Sequence, residues 1–345
     1  MHDDVRNYYG ETLQSSKDLQ TSACCTLTPP SAYIRDIQNR IHSDVRSRYY
    51  GCGLVIPQLL EALSILDLGS GSGQDAYTLS ALVGEHGKVI GVDMTDEQLA
   101  IANQYRDYHA QQFAHSKPNT TFLKGQLEQL NELPLEPNSL DLIVSNCVIN
   151  LCVDKQAVLN HAFQLLKPGG EMYFSDVYAD RRIPESLRND PVLYGECLSG
   201  AFYWNDFLAS AKRAGFQDPR LVEDRRLEVH NEELEAKLGN IRFYSATYRL
   251  FKLENLEPSC EDYGQAVIYK GSIPHCKNTF YLDKHHVIEA GKVFPVCGNS
   301  YRMLHDTRFQ SHFEFIGEGK RHFGIFQSCG THIPFDEDTM EGGCC

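Results

Sequence analysis

The sequence predicts an α/β protein built on a doubly wound, mostly parallel sheet, and three observations lead to this prediction. The first is SILDLGSGSGQD at residues 64–75, where an apolar run meets three glycines and then a helix-compatible segment. The second is KVIGVDM, another apolar run, which ends around Asp93. The third is the alternation of strand-like and helix-like segments that continues to residue 253, as expected for strands joined by helical crossovers.

The glycine-rich turn and Asp93 together predict a nucleotide site. Gly69, Gly71 and Gly73 permit positive φ and let a ligand approach the backbone closely. Asp93 follows Gly73 by twenty residues and can accept hydrogen bonds from both hydroxyls of a ribose. The G-x-G-x-G spacing differs from the G-x-G-x-x-G fingerprint of dinucleotide sites, which disfavours NAD or FAD. A glycine-rich turn in an unrelated α/β protein is the structural alternative.

The other elements follow in chain order. We expect amphipathic helices over residues 5–19 and 34–50, separated by TSACCTLTPP, whose prolines break a helix. A helix over EQLAIANQYRDYHAQQF, a strand in NTTFLKGQL and a fully apolar strand in LDLIVSNC come next. A fifth strand ends at Asp176, a helix over residues 205–214 ends at Gly215, and RLVEDRRLEV and RFYSATYRLFKL complete the sheet.

The length suggests two domains, at roughly 150 residues per domain. We assign residues 1–253 to the first domain, with an insertion at about residues 178–204 over the ligand-binding end of the sheet. Residues 254–345 form a small mixed or β-rich domain whose tail carries Cys344 and Cys345. Those vicinal thiols either bind a soft ion or belong to a mobile end. We expect His285 and His286 on a solvated face, because they lack ligand spacing.

The net charge and the cysteine content limit the classes of function that fit this sequence. The net charge of −14 disfavours a nucleic-acid partner and does not repel a cationic ligand. Without a long apolar run or a leader, we expect a cytoplasmic protein with no membrane partner. In that compartment twelve cysteines are more consistent with functional thiols than with a disulfide framework. The absence of a C-x-x-C pair gives little support to a zinc ribbon.

Three cysteines occupy informative positions. Cys52 lies between two glycines, which either leaves its sulfur uncovered or marks a small apolar filler. Cys147 lies at the carboxyl end of the fourth strand, where ligands bind in such sheets, although a buried structural thiol is the alternative. Cys197 belongs to the insertion, which could bring it above Cys147.

Several of these stretches resemble the arsenite methyltransferases, which depend on S-adenosylmethionine (SAM). The glycine loop is similar to the first motif of class I SAM methyltransferases with their Rossmann-like sheet. The resemblance covers roughly residues 5–253, and cysteines at four family positions make it specific. It rests on TSAC, RYYGCGLVIP, ILDLGSGSGQD, GVDMT, VSNCVINL, LKPGGEMYFSDVY, GECLSGAFYW and RFYSATYRLFKL.

The resemblance implies a role for each matching position. Trivalent arsenic is held by the thiolates of Cys52, Cys147 and Cys197. Cys24 pairs with Cys52 as a redox disulfide, although Cys25, directly after it, leaves open which thiol pairs. The residues at the family's SAM-binding positions are Tyr50, Gly69, Gly71, Gly73, Asp93 and Met94.

The implied reaction is methylation of arsenite and then methylarsenite. It needs an external thiol reductant such as thioredoxin or glutathione, and no resident metal. Two other functions remain open: a SAM-dependent methyltransferase for another small acceptor, and a non-catalytic metalloid-binding protein. A SAM-binding measurement separates the second from an enzyme. The number of methyl groups added and the oligomeric state stay open.

Overall fold

The computed structural model describes residues 30–49, 51, 54–188, 190, 193, 197–228, 231–327 and 329. Several sequence predictions fall outside these residues. They are the helix over residues 5–19 and the assignments to Cys24, Cys25, Tyr50, Cys52, Cys344 and Cys345. In the part of the chain that is described, no helix is long and apolar enough to cross a membrane.

The chain divides into two compact units. The first comprises residues 1–252 together with residues 281–286, and the second comprises residues 253–280 together with residues 287–345.

An eight-stranded sheet forms the centre of the first unit. Its strands are β1 (Ser64–Leu68), β2 (Lys88–Asp93), β3 (Thr120–Lys124), β4 (Leu140–Asn146), β5 (Leu166–Ala179), β6 (Phe202–Tyr203), β7 (Arg220–Arg226) and β8 (Phe243–Phe251). The spatial order is β3-β2-β1-β4-β5-β8-β7, with β6 also paired to β5. All pairings are parallel except those of β8 with β5 and β7. The predicted mostly parallel α/β fold is confirmed.

Helices cover both faces of this sheet. Those described are α1 (Ala32–Asn39), α2 (Ser43–Arg46), α3 (Gln74–Val83), α4 (Asp96–Gln104), α5 (Arg106–Gln112), α6 (Lys155–Leu165), α7 (Glu185–Arg188), α8 (Trp204–Ala214) and α9 (Glu232–Leu238). Successive residues of β4 enter different clusters: Ile143 joins one, and Leu142 and Val144 join the other. The period-two alternation of strand side chains explains this division between the faces.

Two predicted helices are interrupted. The helix predicted over residues 34–50 breaks between α1 and α2, because the ring of His42 accepts a hydrogen bond from the Asp44 amide at 3.2 Å and caps a new helix. The helix predicted over EQLAIANQYRDYHAQQF is split at Tyr105, whose φ of −104° and ψ of 13° are not helical. Hydrophobic periodicity alone does not detect such breaks.

The fifth strand is longer than predicted. It continues past Asp176 to Ala179, because its pairing with β8 extends to Ala179 opposite Phe243. This extension carries the end of β5 into the insertion at residues 178–204.

The second unit is β-rich, as predicted. Strand β10 (Gln265–Tyr269) lies between β13 (Val293–Val296) and β14 (Phe313–Ile316), and both pairings are antiparallel. Two smaller sheets pair β9 (Glu261–Asp262) with β15 (Gly324–Ile325) and β11 (Thr279–Tyr281) with β12 (Val287–Glu289). Helix α10 (Gly298–His305) is an element that the sequence analysis missed.

One histidine prediction is wrong. His285 is exposed, as expected, but His286 is buried and its Nδ1 lies 2.8 Å from the Asp283 carboxylate. Burial by itself raises the pKa of Asp283, but the His286 hydrogen bond and the charges of His286 and Arg220 hold it well below its usual range. His286 therefore has a structural role that its sequence position does not reveal.

Candidate active site

A cavity opens beside the carboxyl ends of β1, β2 and β4, where ligands bind in sheets of this type. It encloses about 1040 Å³, including its open mouth, and every lining residue belongs to the first unit. Of the residues predicted to bind SAM, the lining includes Gly69, Gly71, Asp93 and Met94.

The glycine loop forms one wall of the cavity. Gly69 and Gly71 have φ values of 71° and 51°, and a Cβ at Gly69 would lie 2.5 Å from both γ-carbons of Val148. A side chain at Gly69 would therefore be strained and would clash. Gly73 does not line the cavity: with a φ of 95° it caps α3 and packs against Phe122. Its contribution is to the close packing of helix and sheet.

Asp93 ties the glycine loop to the end of β2. One carboxylate oxygen accepts a hydrogen bond from the Gly71 amide at 2.9 Å, and the other accepts one from the Thr95 amide at 2.8 Å. Burial raises the pKa of Asp93, and these two amides oppose the rise.

A polar cluster that the sequence analysis missed forms the opposite wall. The side-chain amide of Asn146 donates to the Tyr49 hydroxyl at 2.7 Å and to the Asp75 carboxylate at 2.9 Å. Burial raises the pKa of Asp75 to about 6, although both partners favour its ionised form. Gly51 leaves room for this cluster, since a Cβ there would lie 2.4 Å from the Tyr49 hydroxyl. Two sequence features could have indicated this cluster: Asp75 comes just after the glycine loop, and Asn146 comes directly before Cys147.

The cavity has an acidic character. Asp67 lies on its floor beside Asp75 and Asp93, and burial, followed by the charges of those two carboxylates, raises the pKa of Asp67 well above its usual value. Carboxylates held this close favour a cationic ligand, because its charge relieves both their repulsion and their desolvation.

Cys147 and Cys197 meet at the edge of this cavity. Cys147 lines it, and the Cys197 thiol donates to the Cys147 carbonyl oxygen at 3.4 Å. Both cysteines have positive φ, at 57° and 60°, and both belong to one buried hydrophobic cluster. Non-glycine residues held in this region cost about 1–3 kcal/mol each and concentrate at functional sites. The insertion thus brings Cys197 to Cys147, whereas Cys52 and Cys24 lie outside the described residues.

Comparison with known proteins identifies the family. The chain is 59% identical over 348 residues to the arsenite methyltransferase of Aquipseudomonas alcaligenes, with 100% of both chains covered. The chain belongs to the arsenite methyltransferase family. The human arsenite methyltransferase is 45% identical over 313 residues, which cover 90% of this chain and 82% of the human one.

Domain and structural matches agree with this assignment. Residues 59–215 match the family of methyltransferase domains, and residues 263–338 match the arsenite methyltransferase C-terminal domain. An arsenic(III) S-adenosylmethionine methyltransferase from Chlamydomonas reinhardtii has a crystal structure that superposes with a TM-score of 0.84 at 46% identity, covering 87% of this chain and 100% of that one. The protein is therefore a methyltransferase.

Asn150 and Asp176 link the chain segments that carry the two cysteines of this methyltransferase, and the sequence analysis overlooked both residues. The Asn150 side chain donates to Asp176 at 2.7 Å, and its oxygen accepts from the Phe202 amide at 3.3 Å. Asn150 thereby connects the loop after Cys147 to the end of the segment that contains Cys197. Burial raises the pKa of Asp176 to about 7, opposed by backbone amides that include those of Val177 and Asn150. The sequence feature that could have drawn attention to Asn150 is the N-C-V-I-N motif at residues 146–150, which places it three residues after Cys147.

Cys147 takes part in a disulfide bond in this structure. The other described cysteines, Cys152, Cys197, Cys260, Cys276, Cys297 and Cys329, are reduced. Binding of a metalloid by Cys147 therefore requires prior reduction of this bond. Cys152 also lines the cavity, but burial raises the pKa of its thiol well above the usual value, which disfavours the reactive thiolate.

Proposed function

We propose that this methyltransferase transfers the methyl group of SAM to trivalent arsenic, first in arsenite and then in methylarsenite, within the domain formed by residues 1–253. The arsenic ligands in this proposal are the thiolates of Cys52, Cys147 and Cys197. The observation that carries the proposal is the meeting of Cys147 and Cys197 at the edge of a cavity lined by the glycine loop and Asp93.

The donor set suits the substrate. Trivalent arsenic is soft and thiophilic, so thiolates bind it in preference to carboxylates or imidazoles, as they do soft metals. Three sulfur ligands leave the arsenic lone pair directed away from the ligands, and this lone pair is the nucleophile. It attacks the sulfonium methyl in line, the carbon–sulfur bond breaks, and S-adenosylhomocysteine leaves as a neutral thioether.

This chemistry needs no strong general base, so the protein mainly aligns the two reactants. Holding two reactants near attack distance can lower a barrier by about 7–11 kcal/mol. The glycine loop and Asp93 would position the nucleoside. Asp75 supplies negative charge that suits the cationic sulfonium and amino groups of SAM, and such a cation would favour the ionised form of Asp67 as well.

Methyl transfer oxidises arsenic formally to the pentavalent state, and two electrons must return it to the trivalent state before the next transfer. We propose that Cys24 and Cys52 supply these electrons by closing a disulfide. A thiol reductant such as thioredoxin or glutathione then reopens it. Thiolate ligands persist in a reducing compartment, which supports a cytoplasmic location for the proposed reaction.

The first experiment is to incubate the pure, full-length protein with arsenite, SAM and a thiol reductant, and to identify the arsenic species formed. We expect methylated arsenic from the wild type and none from Cys147→Ser or Cys197→Ser, with either arsenite or methylarsenite as substrate. Cys276→Ser is the matched control and should retain full turnover. Full activity in either ligand variant would refute the ligand assignment.

The same preparation tests the two other functions. Production of S-adenosylhomocysteine without methylated arsenic would indicate another acceptor, and arsenite binding without SAM binding would indicate a sequestering protein. For the disulfide, peptide mass spectrometry after turnover without reductant should find Cys24 linked to Cys52. Comparing Cys24→Ser with Cys25→Ser identifies the thiol that pairs, and reduced Cys24, Cys25 and Cys52 after turnover would reject the redox step.

A further inference from the structure

A second group of three thiols lies in the second unit, separate from the residues of the proposed active site. The sulfur atoms of Cys260, Cys297 and Cys329 all lie within 4.8 Å of one another. From this geometry we propose that they form a second arsenic-binding site, which holds trivalent arsenic through three thiolates. The choice of arsenic rests on the proposed function, whereas the site itself rests on the cluster.

The fold of the second unit brings these distant cysteines together. Strand β9 begins directly after Cys260 and pairs with β15, and the Phe326 amide donates to the Cys260 carbonyl oxygen at 2.8 Å. Because β15 lies alongside β9, the chain that follows β15 brings Cys329 close to Cys260. Strand β13 ends one residue before Cys297, and its pairing with β10 places Val296 opposite Gln265, five residues after Cys260. The cluster is therefore built on sheet pairing.

Helix α10 holds two of the segments in place. Its Asn299 side chain accepts from the Glu257 amide at 2.8 Å and donates to the Glu257 carbonyl oxygen at 2.9 Å. These two bonds tie the chain just before Cys260 to the first turn of the helix that follows Cys297. Such support keeps a three-residue ligand set preorganised.

A backbone amide in the first turn of α10 contacts the sulfur of Cys297. Cys297 is fully buried and caps α10, and its sulfur accepts a hydrogen bond from the Ser300 amide at 3.5 Å. A backbone amide at a helix N-terminus stabilises a thiolate, which is the form that binds metals and metalloids. Cys260 and Cys329 are half-buried, so an ion can reach the group from solvent.

The described donor set suits trivalent arsenic. Within the described residues, the group consists of three cysteine sulfurs, with no histidine or carboxylate among the ligand atoms. Structural zinc sites in proteins almost always use four ligands in tetrahedral geometry. Trivalent arsenic is satisfied by three thiolates, because its lone pair occupies the fourth position. All three cysteines are reduced, as arsenic binding requires.

The test measures arsenic per chain in reduced, desalted, full-length protein after incubation with excess arsenite and removal of unbound arsenite. We expect two arsenic atoms per wild-type chain and one in a Cys147→Ser/Cys197→Ser variant. A variant that replaces all three clustered cysteines by serine should also bind one. Cys276→Ser, in the same unit but outside the group, should bind two. Two atoms in the triple variant, or one zinc per chain that arsenite fails to displace, would overturn the proposal.

A second measurement covers the risk that the buried Cys297 cannot be replaced without unfolding. X-ray absorption of arsenic bound to Cys147→Ser/Cys197→Ser should show three sulfur neighbours, and adding the single change Cys329→Ser should reduce this number to two. An unchanged sulfur count would refute the site. Failure of the proposed active-site ligands is separately visible: the wild type would then bind one arsenic, and the triple variant would bind none.

Discussion

Replacing Asp75 by asparagine should stabilise the protein while weakening SAM binding. Asp75 is buried on the wall of the cavity, and its carboxylate accepts hydrogen bonds from Asn146 and Tyr49. An amide at this position keeps an acceptor oxygen for the Asn146 side chain but removes the buried charge. It also removes a charge that suits the cationic methyl donor.

The magnitude follows from the pKa of Asp75, which burial raises from an ordinary value of 3.8 to about 6. At about 1.36 kcal/mol per pKa unit, the ionised carboxylate costs about 3 kcal/mol of folding free energy near pH 7. Between these two pKa values the folded state binds more protons than the unfolded state, so this contribution to stability falls as pH rises. The advantage of Asp75→Asn should grow from less than about 1 kcal/mol at pH 4 to about 3 kcal/mol at pH 7.

Urea denaturation at both pH values measures this change. Trp204 is the only tryptophan and lies in the first unit, so its fluorescence reports the unfolding of that unit. Asp36→Asn, on the exposed side of α1, is the control and should change stability by less than about 0.5 kcal/mol at either pH. SAM affinity of Asp75→Asn should fall about tenfold, which corresponds to about 1.4 kcal/mol. A variant no more stable than the wild type at pH 7 would refute the reasoning.

Three further variants test the packing of the first unit. Gly69→Ala should cost about 2–4 kcal/mol of stability, because φ at this position is positive and the added methyl group would clash with Val148. Gly71→Ala should cost only about 1–2 kcal/mol, because φ is positive there too but the added methyl group would enter open space. Equal losses of stability in urea denaturation would contradict this reasoning. Arg249→Met should lower the stability by about 3–5 kcal/mol in the same assay, because it removes the Arg249 partner that lies 2.6 Å from the fully buried Glu171 carboxylate. A loss of stability below about 1 kcal/mol would contradict this prediction.

Local patterns determined much of the fold and one side of the cavity. Strand, turn and helix signals predicted the sheet, and the glycine spacing with Asp93 indicated the ligand-binding edge, because these features depend on neighbours close in sequence. The breaks at His42 and Tyr105 were missed, since a capping side chain and a local change of φ and ψ leave the apolar period almost unchanged.

The sequence by itself determined the parallel α/β sheet, the glycine loop and the family to which its cysteine motifs point. Only the tertiary structure decided that Cys197 contacts Cys147, that Asn146 joins Tyr49 to Asp75, and that Cys260, Cys297 and Cys329 converge. The physical reason is the range of the interactions. Strand and turn preferences are set by adjacent residues, whereas contacts between residues dozens of positions apart depend on how the sheets pair and how the insertion packs.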